Sequence, residues 1–510
     1  MESNNTRIAK NTMFLYVRML LVMGVSLYTV RIVLEVLGVE NYGIYNVVGG
    51  IVSMFAFLSG SMASASQRFF AFDIGKKDVL KLKQTFSMSV AMYALLGIII
   101  IIIAETFGIW FLNNKMTIPQ ERVVAANWVF HFAVFSFVVT VLAIPYNAAI
   151  IAKENMKMYA YTSIIEVFLK LLVVYLIQYS SNDKLIIYAV LMFISTFSIQ
   201  LIYILYCTFS YVEFQYSFYW NKSLFKQLIG YSGWNLIGSL TGVLNNQGVN
   251  ILLNIFFNPI VNAARGISLQ VNLAINQIVL SFMQAVNPQI TKYYAEDKKE
   301  EMNNLVFQSS KYSFWLLSFF VVPFFLETDY ILKLWLHNVP DFCILFTRLY
   351  LIIILIDSLS MPLMTAAQAT GNIRNYMLIV AGTMLLNLPV SYVLLVYDCS
   401  PQVVYYVAIV ISFICLLLRL FMLRTMIQFN VKKFCYQVII KVFIILLINC
   451  TVSYLFVYNF NMSLWRLVTV FISNLTILFV LIFLFGLNKN EKLIVLNFIN
   501  NKVIAYRKII

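Results

Sequence analysis

The sequence predicts an all-α integral membrane protein with about fourteen transmembrane helices. Of its 510 residues, 62% are hydrophobic and only 11% are charged, whereas soluble domains contain roughly 45–50% apolar and about 25% charged residues. Because lipid cannot hydrogen-bond a backbone, segments that cross a membrane must be helices or a closed barrel. Apolar runs of about 20 residues or more favour helices over the ~10-residue strands of a barrel.

Polar breaks divide the chain into the fourteen predicted spans. The loops between them are short, so no soluble domain is expected between two spans. The spans lie near residues 12–37, 42–72, 84–112, 123–149, 158–179, 185–211, 227–256, 263–290, 304–326, 341–367, 376–396, 402–424, 438–457 and 467–486.

The basic residues predict the orientation of these spans. Membrane proteins collect Lys and Arg in their cytoplasmic loops. If the N-terminus is cytoplasmic, 22 of the 36 Lys and Arg residues lie in inside segments. Only five lie in outside loops, namely Lys115, Arg122, Lys184, Lys333 and Arg466. This bias predicts that both termini are cytoplasmic. The net charge of +15 is then explained by topology and by contact with membrane lipids. For that reason no nucleic acid partner is expected.

An internal repeat divides the predicted spans into two sets. Residues 145–159 (PYNAAIIAKENMKMY) align without gaps on residues 362–376 (PLMTAAQATGNIRNY). Both segments end an even-numbered span, cross a cytoplasmic loop and begin the next span. The repeat predicts two six-helix lobes in the same orientation. The predicted domains are an N-lobe at 1–226, a C-lobe at 227–433, and spans 13 and 14 with a cytoplasmic tail at 434–510.

Three segments carry a family resemblance. They are TRIAKNTMFLYVRMLL and LGVENYGIYNVVGG near the start, and FLSGSMASASQRFFAFDIGKKD, which runs from the second span into a basic loop. With the 6+6+2 plan, they resemble the polysaccharide flippases of the multidrug/oligosaccharidyl-lipid/polysaccharide (MOP) exporter superfamily. The resemblance covers essentially the whole chain through diffuse motifs. It implies a MATE-like fold in which two lobes form a V around a central cavity and work by alternating access.

The resemblance also implies a cargo. It points to an undecaprenyl-diphosphate-linked oligosaccharide that is moved from the cytoplasmic to the periplasmic leaflet of a bacterial inner membrane. Such flippases serve O-antigen, capsule or lipopolysaccharide synthesis, with glycosyltransferases and a polysaccharide polymerase as partners. No enzymatic activity and no cofactor are expected, and transport would be coupled to protons or sodium. The alternatives are a lipid II-type flippase, a MATE-type drug/cation antiporter, and a membrane glycosyltransferase or polymerase.

Six basic residues within the predicted spans are the sharpest local feature: Arg18, Arg31, Arg68, Lys170, Arg265 and Arg348. An Arg or Lys at the centre of a membrane helix costs about 2.5–3.5 kcal/mol on insertion scales, which favours a bundle interior or wet cavity. The five arginines would bind a diphosphate through their planar guanidinium groups. The alternative is structural ion pairing, such as Arg31 with Glu35. Three further basic residues near span ends, Lys311, Arg419 and Lys441, are expected to snorkel towards the interface.

Amides in spans 7 and 8 are the second set of candidates. Asn246 and Asn250 share one face of span 7, and Asn272 and Asn276 lie near Arg265 on span 8, roughly opposite three glutamines. Amides suit sugar hydroxyls, but Asn and Gln also join membrane helices at about 1 kcal/mol each. The sequence leaves open which face of span 8 lines a cavity.

Acidic residues within the spans are candidates for ion coupling. Glu166 and Lys170 are spaced i, i+4 on span 5, which equally fits a self-neutralised pair. Asp357 lies deep in span 10. A lone intramembrane carboxylate is a proton or sodium site by default, but a salt bridge to Arg348 or Lys170 is an equal alternative. No metal site is predicted.

Overall fold

In a computed structural model, the protein is built from α-helices. The structure describes residues 4–493 except 54–55, 116–117, 181–182, 258, 337–338, 460 and 489–490. The helices are α1 (Asn4–Ser53), α2 (Ala56–Gly75), α3 (Val79–Ile103), α4 (Ile109–Lys115), α5 (Val123–Ala152), α6 (Met156–Gln178), α7 (Lys184–Ser210), α8 (Lys222–Phe256), α9 (Pro259–Ala295), α10 (Lys299–Leu326), α11 (Thr328–Leu336), α12 (Cys343–Ala369), α13 (Arg374–Leu385), α14 (Asn387–Val396), α15 (Val403–Ile427), α16 (Val431–Phe434), α17 (Ile440–Asn459) and α18 (Leu464–Leu481).

The helical membrane class predicted from composition is confirmed. Among the described residues, eleven helices are long and apolar enough to cross a membrane. The helix α1 contains predicted span 1 and the first part of span 2. Its backbone leaves the helical region at Gly38, where φ is 77°. Only glycine adopts such a conformation without steric cost, and so Gly38 separates the two spans.

The sequence repeat reappears in the backbone. Pro145 lies inside α5 and Pro362 inside α12. Two residues after each of these helices, the chain turns through a positive φ, at Glu154 (60°) and at Gly371 (78°). The helices α2 and α9 also end in the same way. Two residues after each helix, at Lys77 and at Asp297, the backbone has a positive φ of 57°. The matched residues therefore occupy matched turns.

The first compact unit contains Met1–Leu244, Ser281–Met302 and Thr365–Gly382. Its core is centred on α5, which packs against α2, α3 and α7. Tyr93, Val129 and Phe130 are fully buried there. The long buried stripe on α5 fits a helix that contacts other helices on most of its sides.

The second compact unit contains Asn245–Leu280, Asn303–Met364 and Thr383–Ile510. Leu253, Phe346 and Tyr405 belong to its buried core, and the rings of Phe346 and Tyr405 lie 4.6 Å apart. The predicted domain boundaries after residues 226 and 433 stay a prediction.

Candidate functional site

Arg18 is held by two side chains of α6. Its Nε donates a hydrogen bond to Ser163 Oγ at 2.6 Å, and its guanidinium lies 4.6 Å from the centre of the Tyr159 ring. Ser163 in turn donates to the Tyr159 carbonyl oxygen. No described residue accepts a hydrogen bond from the terminal Nη groups. The guanidinium is thus oriented by neutral partners while its outer edge is left for a further acceptor.

Arg68 contacts the end of α12. Its Nη2 donates to the Ala369 carbonyl oxygen at 2.8 Å, and the rings of Phe69 and Phe72 each lie 4.8 Å from the guanidinium carbon. A Cβ at Gly371 would lie only 2.5 Å from this Nη2. The glycine therefore leaves the space that the guanidinium fills. The observed contacts of Arg68 are with aromatic rings and a helix end, and its place in the lining of a cavity stays a prediction.

Arg265 forms the centre of a polar cluster in the second unit. It is buried, with 4% of its surface exposed. Its Nε donates to Asn250 Oδ1 at 3.1 Å and its Nη2 to the Asn246 carbonyl oxygen at 2.9 Å. The ring of Tyr405 lies 5.6 Å from that of Tyr350. Tyr350 Oη donates to Asn246 Oδ1 at 3.4 Å. We call these five residues the Arg265 cluster.

The Arg265 cluster faces outward through its amides, because Asn246 and Asn250 are exposed on α8. On α9, the face around Arg265 is turned inward: Asn272 is buried and Asn276 half-buried. The exposed face of α9 carries Gln270 and Gln277. That Asn272 and Asn276 line a cavity stays a prediction.

Arg348 has a structural position in the second unit. Its Nε donates to the Phe325 carbonyl oxygen at 3.2 Å, and its guanidinium lies 5.7 Å from the Phe325 ring. Phe325 is in the last turn of α10, and its carbonyl oxygen also accepts a hydrogen bond from Thr328 Oγ1 at 3.0 Å. The side chain of Arg31 lies outside the described residues.

The predicted acidic candidates have identifiable neighbours. Glu166 and Lys170 form a direct ion pair, with Oε1 and Nζ 2.6 Å apart. This is the self-neutralised pair that their spacing also allowed. Asp357 accepts a hydrogen bond from Ser412 and is near the charge of Arg419, both on α15.

The sequence did not identify this neighbour of Asp357. Arg419 was expected to snorkel towards the interface, but it is buried. The residues are on different helices, and their separation in sequence gives no signal of the contact.

A cavity of about 370 Å³ lies in the first unit among α1, α5 and α7. Aromatic rings and hydroxyls contribute to its wall, and none of the described residues that line it is charged. The hydroxyls of Ser136, Thr140 and Thr196 each donate to a backbone carbonyl four residues earlier. They can therefore offer only acceptor lone pairs to a ligand. The sequence did not predict this cavity, because the residues that line it alternate with core positions on the same helices.

The four predicted site arginines whose side chains the structure describes share one electrostatic property. Arg18, Arg68, Arg265 and Arg348 are hydrogen-bonded to hydroxyl, amide and carbonyl groups. Within the described part of the chain, none of them forms a direct ion pair with a carboxylate. Each therefore retains a positive charge without an internal counter-ion in direct contact.

Comparison with known proteins identifies the fold. The sequence profile of the MatE family matches residues 244–393, and no curated protein sequence matches the chain. A MATE structure in complex with MaD3S superposes with a TM-score of 0.72 at 15% identity, over 84% of this chain and 97% of that one. For an outward-facing multidrug resistance MATE family transporter of the MOP superfamily, the TM-score is 0.72 at 14% identity, over 82% and 96%.

A third similar structure is a MOP superfamily transporter from Pyrococcus furiosus, described as having a binding pocket of reverse polarity that suggests a different function. Its TM-score is 0.68 at 14% identity, over 84% of this chain and 97% of that one. The chain therefore has the fold of the MATE transporters, and a segment in its second half matches the MatE family.

Proposed function

We propose that the protein is a transporter that moves an undecaprenyl-diphosphate-linked oligosaccharide from the cytoplasmic to the periplasmic leaflet of a bacterial inner membrane. Alternating access of the MATE fold would carry the cargo, for the synthesis of a surface polysaccharide. Glycosyltransferases would supply the lipid-linked saccharide and a polymerase would use it. The observation that carries this proposal is the set of intramembrane arginines with neutral partners.

Electrostatics favours an anionic cargo. A guanidinium within a membrane protein is stabilised when an anion approaches it, and Coulomb attraction is stronger there than in water. A diphosphate brings oxygens that match the planar donors of arginine. A cationic cargo would instead meet repulsion from these groups. In the first unit, the outer edge of Arg18 is the donor best placed to bind such a headgroup. In the second unit, taken by itself, the exposed amides of the Arg265 cluster suit sugar hydroxyls.

The coupling ion is part of the same proposal. Glu166 is already paired with Lys170, which leaves Asp357 as the better candidate for proton or sodium binding. Its neighbours Ser412 and Arg419 could stabilise the carboxylate when no ion is bound. The transport cycle would then require no cofactor.

A second candidate function, a drug/cation antiporter, is supported by two observations. The first observation is the match of a segment to the MatE family together with the structural likeness to a multidrug resistance transporter. The second is the uncharged cavity of the first unit, whose rings and acceptor oxygens suit an organic cation. The Pyrococcus furiosus protein, with its reverse pocket polarity, indicates that this fold serves cavities of different charge.

Transport in proteoliposomes separates the two functions. The probes are a fluorescent polyprenyl-diphosphate-linked disaccharide and ethidium, each tested with a pH or a sodium gradient. We expect movement of the lipid between leaflets and no accumulation of ethidium. Arg18→Gln and Arg265→Gln should each slow lipid movement by about tenfold or more, since a charge-assisted hydrogen bond contributes roughly 1.5–3 kcal/mol.

The matched control is the double variant Arg122→Gln/Asp183→Asn, which removes an arginine that does have a carboxylate partner, at 2.7 Å. It should move lipid at the rate of the unmodified protein. Gradient-driven ethidium transport without lipid movement would establish the second candidate and reject the first.

A further inference from the structure

Two cationic contacts in the first unit are related by the sequence repeat. Arg68, near the end of α2, donates to the Ala369 carbonyl oxygen at the end of α12. Lys292, near the end of α9, pairs with Glu154 in the turn after α5 at 2.5 Å. The helices α2 and α9 end in matching turns, as do α5 and α12, so the two contacts join corresponding pairs of helices, although Arg68 and Lys292 are not aligned residues. We call them the Arg68 clasp and the Lys292 clasp.

The turns that receive the two cations are equivalent but chemically different. Gly371 provides space beside its backbone for the Arg68 guanidinium. Glu154, its repeat counterpart, keeps the same left-handed conformation with φ of 60°, although a side chain there is strained. The Glu154 side chain is 1% exposed, and its backbone oxygen accepts a hydrogen bond from Asn11. The Lys292 clasp is therefore ionic, whereas the Arg68 clasp joins a cation to a backbone dipole.

The helices that carry the clasps touch each other. A Cβ at Gly75 would lie 2.7 Å from Ala295 Cβ and 2.9 Å from the Lys292 carbonyl oxygen. The rings of Phe72 and Tyr294 are 6.4 Å apart. The ends of α2 and α9 thus meet without room for solvent between their backbones, and each clasp joins the first sequence repeat to the second.

We infer that the two clasps form a single gate. It closes the end of the first unit at which α2, α5, α9 and α12 terminate. Each clasp links one repeat to the other, so the repeats cannot separate here unless both clasps release. In this gate Arg68 is a positioning residue. In the closed state its guanidinium holds the end of α12 and does not bind cargo. This inference does not depend on the cargo and applies to either candidate function.

Hydrogen–deuterium exchange of the full-length protein in lipid nanodiscs, without cargo, tests the gate. Exchange reports the population of locally open states. Lys292→Gln should accelerate exchange not only around Glu154 but also at the ends of α2 and α12, where the Arg68 clasp lies. Arg68→Gln should accelerate exchange around Glu154 and Lys292. We expect roughly tenfold or greater acceleration, because each substitution removes a charge-assisted hydrogen bond, which contributes about 1.5–3 kcal/mol.

The conservative variant Lys292→Arg should restore slow exchange at both clasps. The matched control Arg122→Gln/Asp183→Asn removes an ion pair from the other end of the same unit and should leave both clasps unchanged. If each variant accelerates exchange only at its own clasp, the two contacts are independent structural bonds and the gate is rejected. Unchanged exchange in the double variant Arg68→Gln/Lys292→Gln would also reject it.

Discussion

Glu213 lies in the short 3-10 turn between α7 and α8, where the chain leaves the helical bundle. Burial alone would raise the pKa of Glu213, but hydrogen bonds from Lys153 and from its own backbone amide outweigh burial, so the pKa is lowered. The neighbouring Phe214 is fully buried. The Lys153–Glu213 ion pair thus fastens an irregular segment to the end of α5.

This ion pair predicts a pH dependence of stability. A carboxylate whose pKa is lower in the folded state stabilises the fold above its unfolded pKa, about 4.3 for Glu, and this contribution is lost as pH falls through the folded value. We expect the melting temperature to fall between about pH 5 and pH 3, and Glu213→Gln to reduce this slope. Thermal unfolding in detergent from pH 3 to 7 measures it.

Asp329→Asn, which removes a carboxylate from the surface pair with Lys333, is the control. It should reduce the slope less than Glu213→Gln, since surface pairs contribute little. Equal slopes in Glu213→Gln and the unmodified protein would contradict the assigned role of Glu213.

Gly75 gives a second prediction at the scale of one residue. Gly75→Ala places a Cβ 2.7 Å from Ala295 Cβ and 2.9 Å from a backbone oxygen, neither of which can rotate away. Overpacking of this kind costs roughly 1–3 kcal/mol, so the melting temperature should fall. Gly60→Ala is the control, because nothing lies within 4 Å of its Cβ position. A larger loss of stability in the control would contradict the close contact of α2 and α9.

The sequence identified the arginines but not their partners. Arg68 donates to the backbone oxygen of Ala369, and Arg348 to that of Phe325. Every residue has a carbonyl, and so sequence carries no signature of such an acceptor. Lys311 was expected to snorkel, yet its side chain is only 2% exposed and pairs with Glu491. That pair joins residues 180 positions apart, and only the tertiary fold brings them together.

At the scale of elements, α18 and the segment after it are fixed to α10 and its end at three levels. Arg466 at the start of α18 pairs with buried Glu327 after α10, at 2.6 Å. Asn474 donates to the Phe319 carbonyl oxygen at 2.9 Å. Lys311 on α10 pairs with Glu491 beyond α18. The last of the helices outside the two six-span repeats, α18, is therefore a fixed part of the second unit.

Lys311 provides the third prediction. Lys311→Met should lower the free energy of unfolding by about 3 kcal/mol, because breaking a buried pair leaves one charge uncompensated. Lys311→Met/Glu491→Leu should recover most of this loss, since replacement of both partners by apolar groups is often neutral. Denaturant unfolding of the two variants and of Glu491→Leu measures the coupling. Additive losses would show that the two side chains do not interact.

At the scale of the whole molecule, the sequence predicted the helical class and the repeat because both arise from composition and local pattern. The aligned prolines, Pro145 and Pro362, lie in equivalent helices, and the turns after those helices match. The grouping of chain segments into units could not be predicted. It places residues 365–382 with the N-terminal half of the chain, which depends on contacts such as that of Arg68 with Ala369.

Membrane orientation gives the fourth prediction. The excess of Lys and Arg on alternate loops predicts that the α2–α3 and α12–α13 turns face the cytoplasm and the α4–α5 and α11–α12 connections face the periplasm. Single cysteines at Lys77 and Asn372 should therefore react with a membrane-impermeant maleimide only after the membrane is opened. Cysteines at Asn114 and Asp341 should react in intact spheroplasts. All four positions are exposed.

The unmodified protein supplies the background for this labelling, because its six cysteines are free and none is fully exposed. The reverse pattern would invert the protein and place the two clasps on the periplasmic side. A mixed pattern within one pair would mean that a span is missing or added between its two positions. Either result would remove the direction of transport from the proposed function while leaving the paired clasps intact, because their geometry depends on the repeat and not on the side of the membrane.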